Sequence, residues 1–275
     1  MKPQFALVSD LHIEGSNMDL HTGSARLLAA VGDIHAPMGT IDERRVHPGV
    51  EWLNRKCPDI PVLYVPGNHD YEGNRFDVAL DAMRHSAEGT NVVVLCNDTF
   101  DFEGVRFLGT PLFTDFSFDG ELTPEYARNI QLTTDMKRSY DHDGRALTAE
   151  WMVAQHQKAR AFLEEELERD PSIPKIVLTH WCPLRQMAKP EGPKDSKSGY
   201  WISPCEDLVE QAELWCHGHV HRSVDIRIGR NPNKGRVVAN ARGFSKLFNI
   251  AQNSQFRQPY LLDVPAVKPV RRLRA

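Results

Sequence analysis

The chain has 275 residues, 41% of them hydrophobic and 25% charged, enough to bury a substantial core and expected to form one large α/β domain over 1–275. A net charge of −4, from 33 basic and 37 acidic residues, gives no general field for polyanions, so long nucleic acid is not an expected partner. No run of about 18 apolar residues is present to span a bilayer, so no membrane is expected either.

From the amino terminus, five short apolar runs read as buried strands: Phe5–Val8, Arg26–Val31, Val62–Val65, Lys175–Leu178 and Leu214–Cys216. The first of these leaves no room for a cleaved leader. The five cysteines, Cys57, Cys96, Cys182, Cys205 and Cys216, form an odd set without a C-x-x-C pair, and reduced thiols in the cytoplasm are the expectation. Helices are predicted over Arg44–Lys56, Arg75–His85 and Thr148–Arg169, the last with Thr148 as N-cap and Pro171 just beyond its end. Met152, Ala159, Leu163 and Leu167 would face the core, and the run Glu164–Glu166 would be solvated. Towards the carboxyl terminus, Val224–Ile228, Arg236–Ala239 and Tyr260–Val264 read as strands of an antiparallel extension, giving a mixed sheet or a two-sheet sandwich. Two irregular insertions, Thr114–Arg145 and Arg185–Ser203, are placed to shape the substrate side.

Each of the five apolar runs is followed within a few residues by a side chain able to bind metal: Asp10, Asp33, Asn68, His180 and His219. If the runs lie parallel in one sheet, their carboxyl ends open on one edge, where open α/β sheets place ligands. Asp10 and His12 are two apart, so in extended geometry they leave the same face and can share a cation. In Gly32-Asp33-Ile34-His35 the glycine permits a tight exit from the strand, and Asp33 comes close enough to bridge two ions. Gly67-Asn68-His69-Asp70 offers an amide oxygen, an imidazole and a carboxylate in succession. In His217-Gly218-His219-Val220-His221 the imidazoles of His219 and His221 fall on one side of an extended segment. Taken singly, three of the five read as ordinary features of a turn, whereas Gly67-Asn68-His69-Asp70 is more specific because a turn would not need the histidine; packing gives no reason for five strand ends to deliver ligands in this order.

Taken together, Asp10-x-His12, Gly32-Asp33, Gly67-Asn68-His69-Asp70, His180 and Gly218-His219-x-His221 resemble the signature of the calcineurin-like metallophosphoesterases. The resemblance implies a four-layer α/β/β/α sandwich of two mixed sheets. It implies one ion on Asp10, His12, Asp33 and His221, and a second on Asp33, Asn68, His180 and His219, with Asp33 as the bridge. It also implies that His69 serves the leaving oxygen, with Asp70 as its orienting partner. Asn240-Ala241-Arg242-Gly243 resembles an Asn-Pro-Arg-Gly segment of one branch of that family, and Arg242 reads as a phosphate clamp or a surface residue. His35 is left between a supporting contact and an exposed loop residue, and His217 reads as structural.

Two divalent cations set against two carboxylates and a bridging hydroxide leave one surplus positive charge, because histidine and asparagine are neutral ligands; such a site attracts a phosphate group and supplies its own nucleophile. Nitrogen and oxygen ligands without thiolate suit Mn²⁺, Fe or Zn²⁺ and do not choose among them. The expected function is hydrolysis of small phosphate esters, nucleotides among the candidates. The alternatives are a nuclease or cyclic-nucleotide phosphodiesterase, with Tyr200 and Trp201 stacking a base, and a noncatalytic scaffold that binds a partner protein.

Overall fold

The apolar runs form strands that are buried on both faces, and the alternation of their side chains explains how. In β1 (Gln4–Val8), β2 (Leu27–Val31) and β3 (Val62–Val65), the residues Phe5, Leu7, Leu27, Ala29, Val31, Leu63 and Val65 belong to one apolar cluster. Their alternates Ala6, Val8, Leu28, Ala30, Val62 and Tyr64 belong to another, which also takes in helix residues. A strand covered on both sides has no polar face, so it reads as a continuous apolar run. The structure, a computed structural model, describes residues 2–16, 18–37, 39–41, 46–119, 138–187, 198–245 and 250–266.

Two mixed sheets are present rather than one parallel sheet. The first has the order β11-β1-β2-β3-β4, with β4 at Val92–Val94 and β11 at Leu261–Asp263; β1 to β4 are parallel and β11 is antiparallel to β1. The second has the order β5-β6-β7-β8-β10-β9, formed by β5 (Asp98–Phe102), β6 (Val105–Thr110), β7 (Lys175–Thr179), β8 (Leu214–His217), β9 (Ser223–Arg227) and β10 (Arg236–Asn240). Here β6, β7, β8 and β10 are parallel, and β5 and β9 are antiparallel edges. The five ligand-bearing runs are therefore split, three in one sheet and two in the other. The inner faces pack together, as in the edge-to-face contact of Phe5 with Phe107 at 5.6 Å. Helices α1 (Pro48–Lys56) and α2 (Phe76–Ala87) lie against β3 and β4, and α3 (Ala149–Glu168) lies against β6, which completes the four layers.

The helix boundaries fall close to expectation. Thr148 caps α3 by accepting the Trp151 amide, and Met152, Ala159, Leu163 and Leu167 are buried. Glu166 departs from the solvated run: it is buried, and its carboxylate is held by Arg106 at 3.5 Å and Arg169 at 3.0 Å. The expected start of the first helix at 44 lies outside the described residues, as do 120–137 and 188–197 of the two insertions. All five cysteines are unpaired.

At the carboxyl ends of the strands the two sheets are stitched together. Ser9 forms a bridge with Ala241, the Asn240 amide side chain donates to the Leu7 carbonyl at 2.7 Å, and the Arg242 amide donates to the Ser9 carbonyl at 3.0 Å. The Arg242 guanidinium is neither a surface group nor a free clamp. It is buried and donates to the Leu11 carbonyl at 2.7 Å and to Ser16 Oγ at 2.9 Å, which fixes the loop carrying Asp10 and His12.

His47 precedes α1, fully buried, with Nε2 on the Asp70 carbonyl at 2.9 Å and Nδ1 without a partner. Burial therefore lowers its pKa from 6.5 to about 4, the Asp70 contact offsetting only part of this. Because the folded value is depressed, the unfolded chain binds the extra proton first, and stability falls on acidification through the window between the two values. We expect the wild type to lose roughly 2 kcal/mol more stability than His47→Gln on going from about pH 7 to pH 5, read from urea midpoints. Parallel pH profiles for the two proteins would show that His47 does not stay neutral in the fold.

Candidate metal centre

Strand ends alone would not aim these side chains inward; the backbone also turns back on itself. Asp10, His12, Asp33, His219 and His221 all have positive φ, at 52°, 45°, 53°, 68° and 49°. Such conformations cost about 1–3 kcal/mol each for residues with a Cβ and persist only where surrounding bonds impose them. The imposing bonds are visible. The Asp10 amide donates to the Gly32 carbonyl at 2.9 Å, the His12 amide to the Asp33 carbonyl at 3.1 Å, and the His219 amide to both Asp10 oxygens at 3.0 and 3.1 Å. Two glycines give the room: a Cβ on Gly32, itself at φ 90°, would overlap the His180 ring, and one on Gly67 would overlap the Asp33 carboxylate.

Three histidines share one arrangement, with Nδ1 tied to an acceptor outside and Nε2 directed to the centre, and a fourth, His69, has its Nδ1 tied in the same way. His180 Nδ1 donates to the Val31 carbonyl at 2.9 Å, and Nε2 lies 3.2 Å from Asp33 Oδ2 and 3.0 Å from Asn68 Oδ1. His221 Nδ1 meets Gln252 Oε1 at 2.8 Å, and Nε2 lies 3.3 Å from Asp10 Oδ1. Gln252 Oε1 also accepts the Phe244 amide at 3.1 Å, which identifies it as the oxygen and makes His221 Nδ1 the donor. His12 Nδ1 meets Glu14 Oε1 at 3.3 Å, and Nε2 lies 3.9 Å from Asp33 Oδ2. His69 Nδ1 meets Glu72 Oε1 at 2.9 Å, and its ring lies edge-on to His12 at 5.0 Å.

This donor set fits cations. With both Nδ1 atoms committed as donors, the Nε2 atoms of His12 and His221 lie 3.3 Å apart beside two carboxylates, so the neutral rings would turn lone pairs towards each other, and Asp10 instead favours a proton on His221. His219 Nε2 is buried with no hydrogen-bond partner. Lone pairs that face one another in a buried space need a positive charge between them. Two groupings have metal-ligand spacing, Asp10 with His12 and His221, and Asp33 with His180 and His219, and a third joins His12, Asp33 and His69.

The titration shifts follow from the same crowding. Burial would raise Asp10, but the hydrogen bond and charge of His221 outweigh it and bring it down to about 2. Asp33 is held well below the usual carboxylate range against its own burial by His180, His69 and His12. His180 is raised to about 9, its burial overcome by Asp33 and Asp10, while burial beside His180 drives His219 well down, leaving a bare lone pair. A cation taking this position displaces the His180 proton, so metal uptake releases protons.

Asp70 does not serve as the partner of the His69 ring. Its Oδ2 accepts the amides of Asp33 at 2.8 Å and Gly67 at 2.7 Å, and its Oδ1 those of Ile34 at 3.1 Å and His35 at 3.3 Å. It is a buried clamp on the loop that carries Asp33, and burial together with the Asp33 charge pushes it up to about 6. The carboxylate set against His69 is Glu72.

Residues 3–223 match the family described as calcineurin-like phosphoesterase. The chain belongs to that family. As a calcineurin-like phosphoesterase it is a metal-dependent hydrolase of phosphate esters. Among solved structures it is similar to a phosphopantetheinyl hydrolase from Mycobacterium tuberculosis, with 17% identity, 96% of each chain covered and a TM-score of 0.69, a likeness of fold. A second solved chain aligns over 88% of this phosphoesterase and 91% of its own length, with 14% identity and a TM-score of 0.49. No curated protein matches the chain. Among the described residues, no helix is long and apolar enough to cross a membrane.

All seven residues expected as ligands come together in this phosphoesterase, and His69 adjoins them. His35 is half-buried, with Nδ1 at 2.6 Å from the Ala36 carbonyl, and His217 is buried, its burial lowering it to about 4. Three supporting groups were not foreseen: Glu14, Glu72 and Gln252. Glu14 and Glu72 had a local signal, two residues after His12 and three after His69 in a 3-10 turn; Gln252 stands 31 residues from His221 and had none. Replacing Asp70 by Asn puts an NH₂ group against amide donors, so Asp70→Asn should destabilise the fold by about 2–5 kcal/mol and weaken Mn²⁺ uptake. Thermal unfolding and calorimetric Mn²⁺ titration check this, and unaltered values in both would remove Asp70 from the support of the centre.

Proposed function

We propose that this phosphoesterase cleaves small phosphate esters at a pair of divalent ions, one on Asp10, His12, Asp33 and His221 and the other on Asp33, Asn68, His180 and His219. The observation that carries this reading is the place of Asp33 Oδ2, 3.2 Å from His180 Nε2 and 3.9 Å from His12 Nε2, where one oxygen serves both groupings. Bound there, divalent ions lower the pKa of water and offset the charge of phosphoryl oxygens. The chain supplies the remainder. Asn68 and the four imidazoles add no negative charge, so the centre keeps a net attraction for phosphate. Glu72 holds His69 Nδ1 and so aims Nε2 at the mouth of the centre, where it donates to the leaving oxygen. The unpaired cysteines, with no disulfide to form an extracellular framework, support a reducing, cytoplasmic setting.

His69→Ala should lower turnover roughly 100- to 10,000-fold on a phosphomonoester while elemental analysis still finds the metals, and Glu72→Gln should lower it about 10- to 100-fold. Loss of metal in His69→Ala would make His69 a ligand, in line with its spacing to His12 and Asp33. An Asn68→Ala protein run beside them on p-nitrophenyl phosphate, its bis ester and cyclic nucleotides separates monoesterase from diesterase. Equal rates for Asn68→Ala and wild type would assign the activity to a contaminant.

A further inference from the structure

Among the described residues, large apolar side chains are almost all buried or half-buried. Among the described residues four are exposed: Val46, Trp201, Phe244 and Ile250. Two of the four are aromatic rings seated on imidazoles of the metal centre, one on each half. The Phe244 ring, 47% exposed, lies 4.2 Å from the His12 ring with a tilt of 30°, and 5.0 Å from His221. The Trp201 ring, 39% exposed, lies 4.9 Å from His219.

Neither ring is loosely attached. The Phe244 amide donates to Gln252 Oε1 and its carbonyl accepts the Gln252 amide at 3.1 Å, so the residue that fixes His221 also fixes Phe244. Trp201 ends the short helix Ser198–Trp201 and meets the buried Tyr200 ring edge-on at 5.1 Å. Phe244 is also the neighbour of the proton donor, edge-on to His69 at 5.7 Å. A leaving oxygen within reach of His69 therefore carries its substituent alongside Phe244. Flat rings gain most from flat partners.

We propose that Phe244, with Trp201 on the other half of the centre, forms an aromatic subsite for the leaving group, selecting phosphate esters whose alcohol carries a flat ring, aryl or nucleoside. The subsite rests on the phosphoesterase reading and narrows it to a substrate class.

The test is equilibrium binding by calorimetry to the Mn²⁺-loaded protein, using inorganic phosphate, phenylphosphonate, cyclohexylphosphonate and a non-hydrolysable adenosine phosphonate. Relative to phosphate, Phe244→Ala should weaken phenylphosphonate or the adenosine probe by roughly tenfold or more, with Trp201→Ala acting in the same direction and Phe244→Trp retaining binding. The probe that loses more shows whether the aryl or the nucleoside ring is the preferred occupant. Equal weakening of phosphate and the aromatic probes would overturn the subsite, because the ring would then act only as support for His12. Equal weakening of the cyclohexyl and aromatic probes would also overturn it, reducing the rings to a general apolar rim. Failure of wild type to bind phosphate at all would instead overturn the metal-centre reading, and the subsite with it.

Discussion

The Asp33 carboxylate is almost wholly shielded from water, and the surrounding structure is organised to keep it ionised there. Its Oδ1 accepts the His69 amide at 2.9 Å, its Oδ2 faces His180 and His12, and its own amide is tied to Asp70. A buried carboxylate with fewer partners would take up a proton, and a protonated Asp33 would be a poor ligand for a cation. The Asp70 clamp, the close approach of Gly32 and Gly67, and the left-handed backbone at Asp33 all follow from holding this one group in place. Strain in the chain is tolerated because several bonds over-determine each turn.

The two-sheet construction explains why the centre lies where it does. Asp33 leaves the first sheet and His180 the second, and they meet because β2 and β7 pack face to face through the inner apolar layer. The His180 Nδ1 bond to the Val31 carbonyl crosses that layer directly. Packing between the sheets therefore sets the spacing of the ligands, and a cavity opened deep in the inner layer would be felt at the metal centre. The Ser9–Ala241 bridge and the buried Arg242 close the seam from the other side, and they give the Asn240-Ala241-Arg242-Gly243 segment a structural part rather than a direct hold on phosphate.

Much of this was legible because strand termini announce themselves. A run of apolar residues that stops at Gly-Asp or Gly-Asn-His marks both the strand and the ligand it delivers, so Asp10, Asp33, Asn68, His180 and His219 are legible from the sequence. Which sheet each strand enters was not legible, since a doubly covered strand has the same pattern in one sheet or two. The segment 92–110 hid its three strands for a different reason. β5 carries Asp98 and Asp101 on an edge, and its two-residue link to β6, Glu103-Gly104, lacks the Asn-Gly signal of a tight hairpin although both residues take positive φ. The Asp70 role was misassigned because adjacency in sequence suggested a partner for His69, whereas the 3-10 turn at His69–Tyr71 sends the Asp70 side chain back under Asp33 and brings Glu72 beside the His69 ring.

The centre and its rim obey different rules. The ligands are bound to strand ends whose positions follow from a core that must pack. Phe244, Gln252 and Trp201 sit on turns and a four-residue helix, outside every motif, where packing places few demands on residue type. A solved relative can thus share the fold over 96% of the chain at 17% identity and leave the leaving group undecided. The chemistry of phosphate is written in the sheets, while the proposed choice of ester rests on rings that the core does not require.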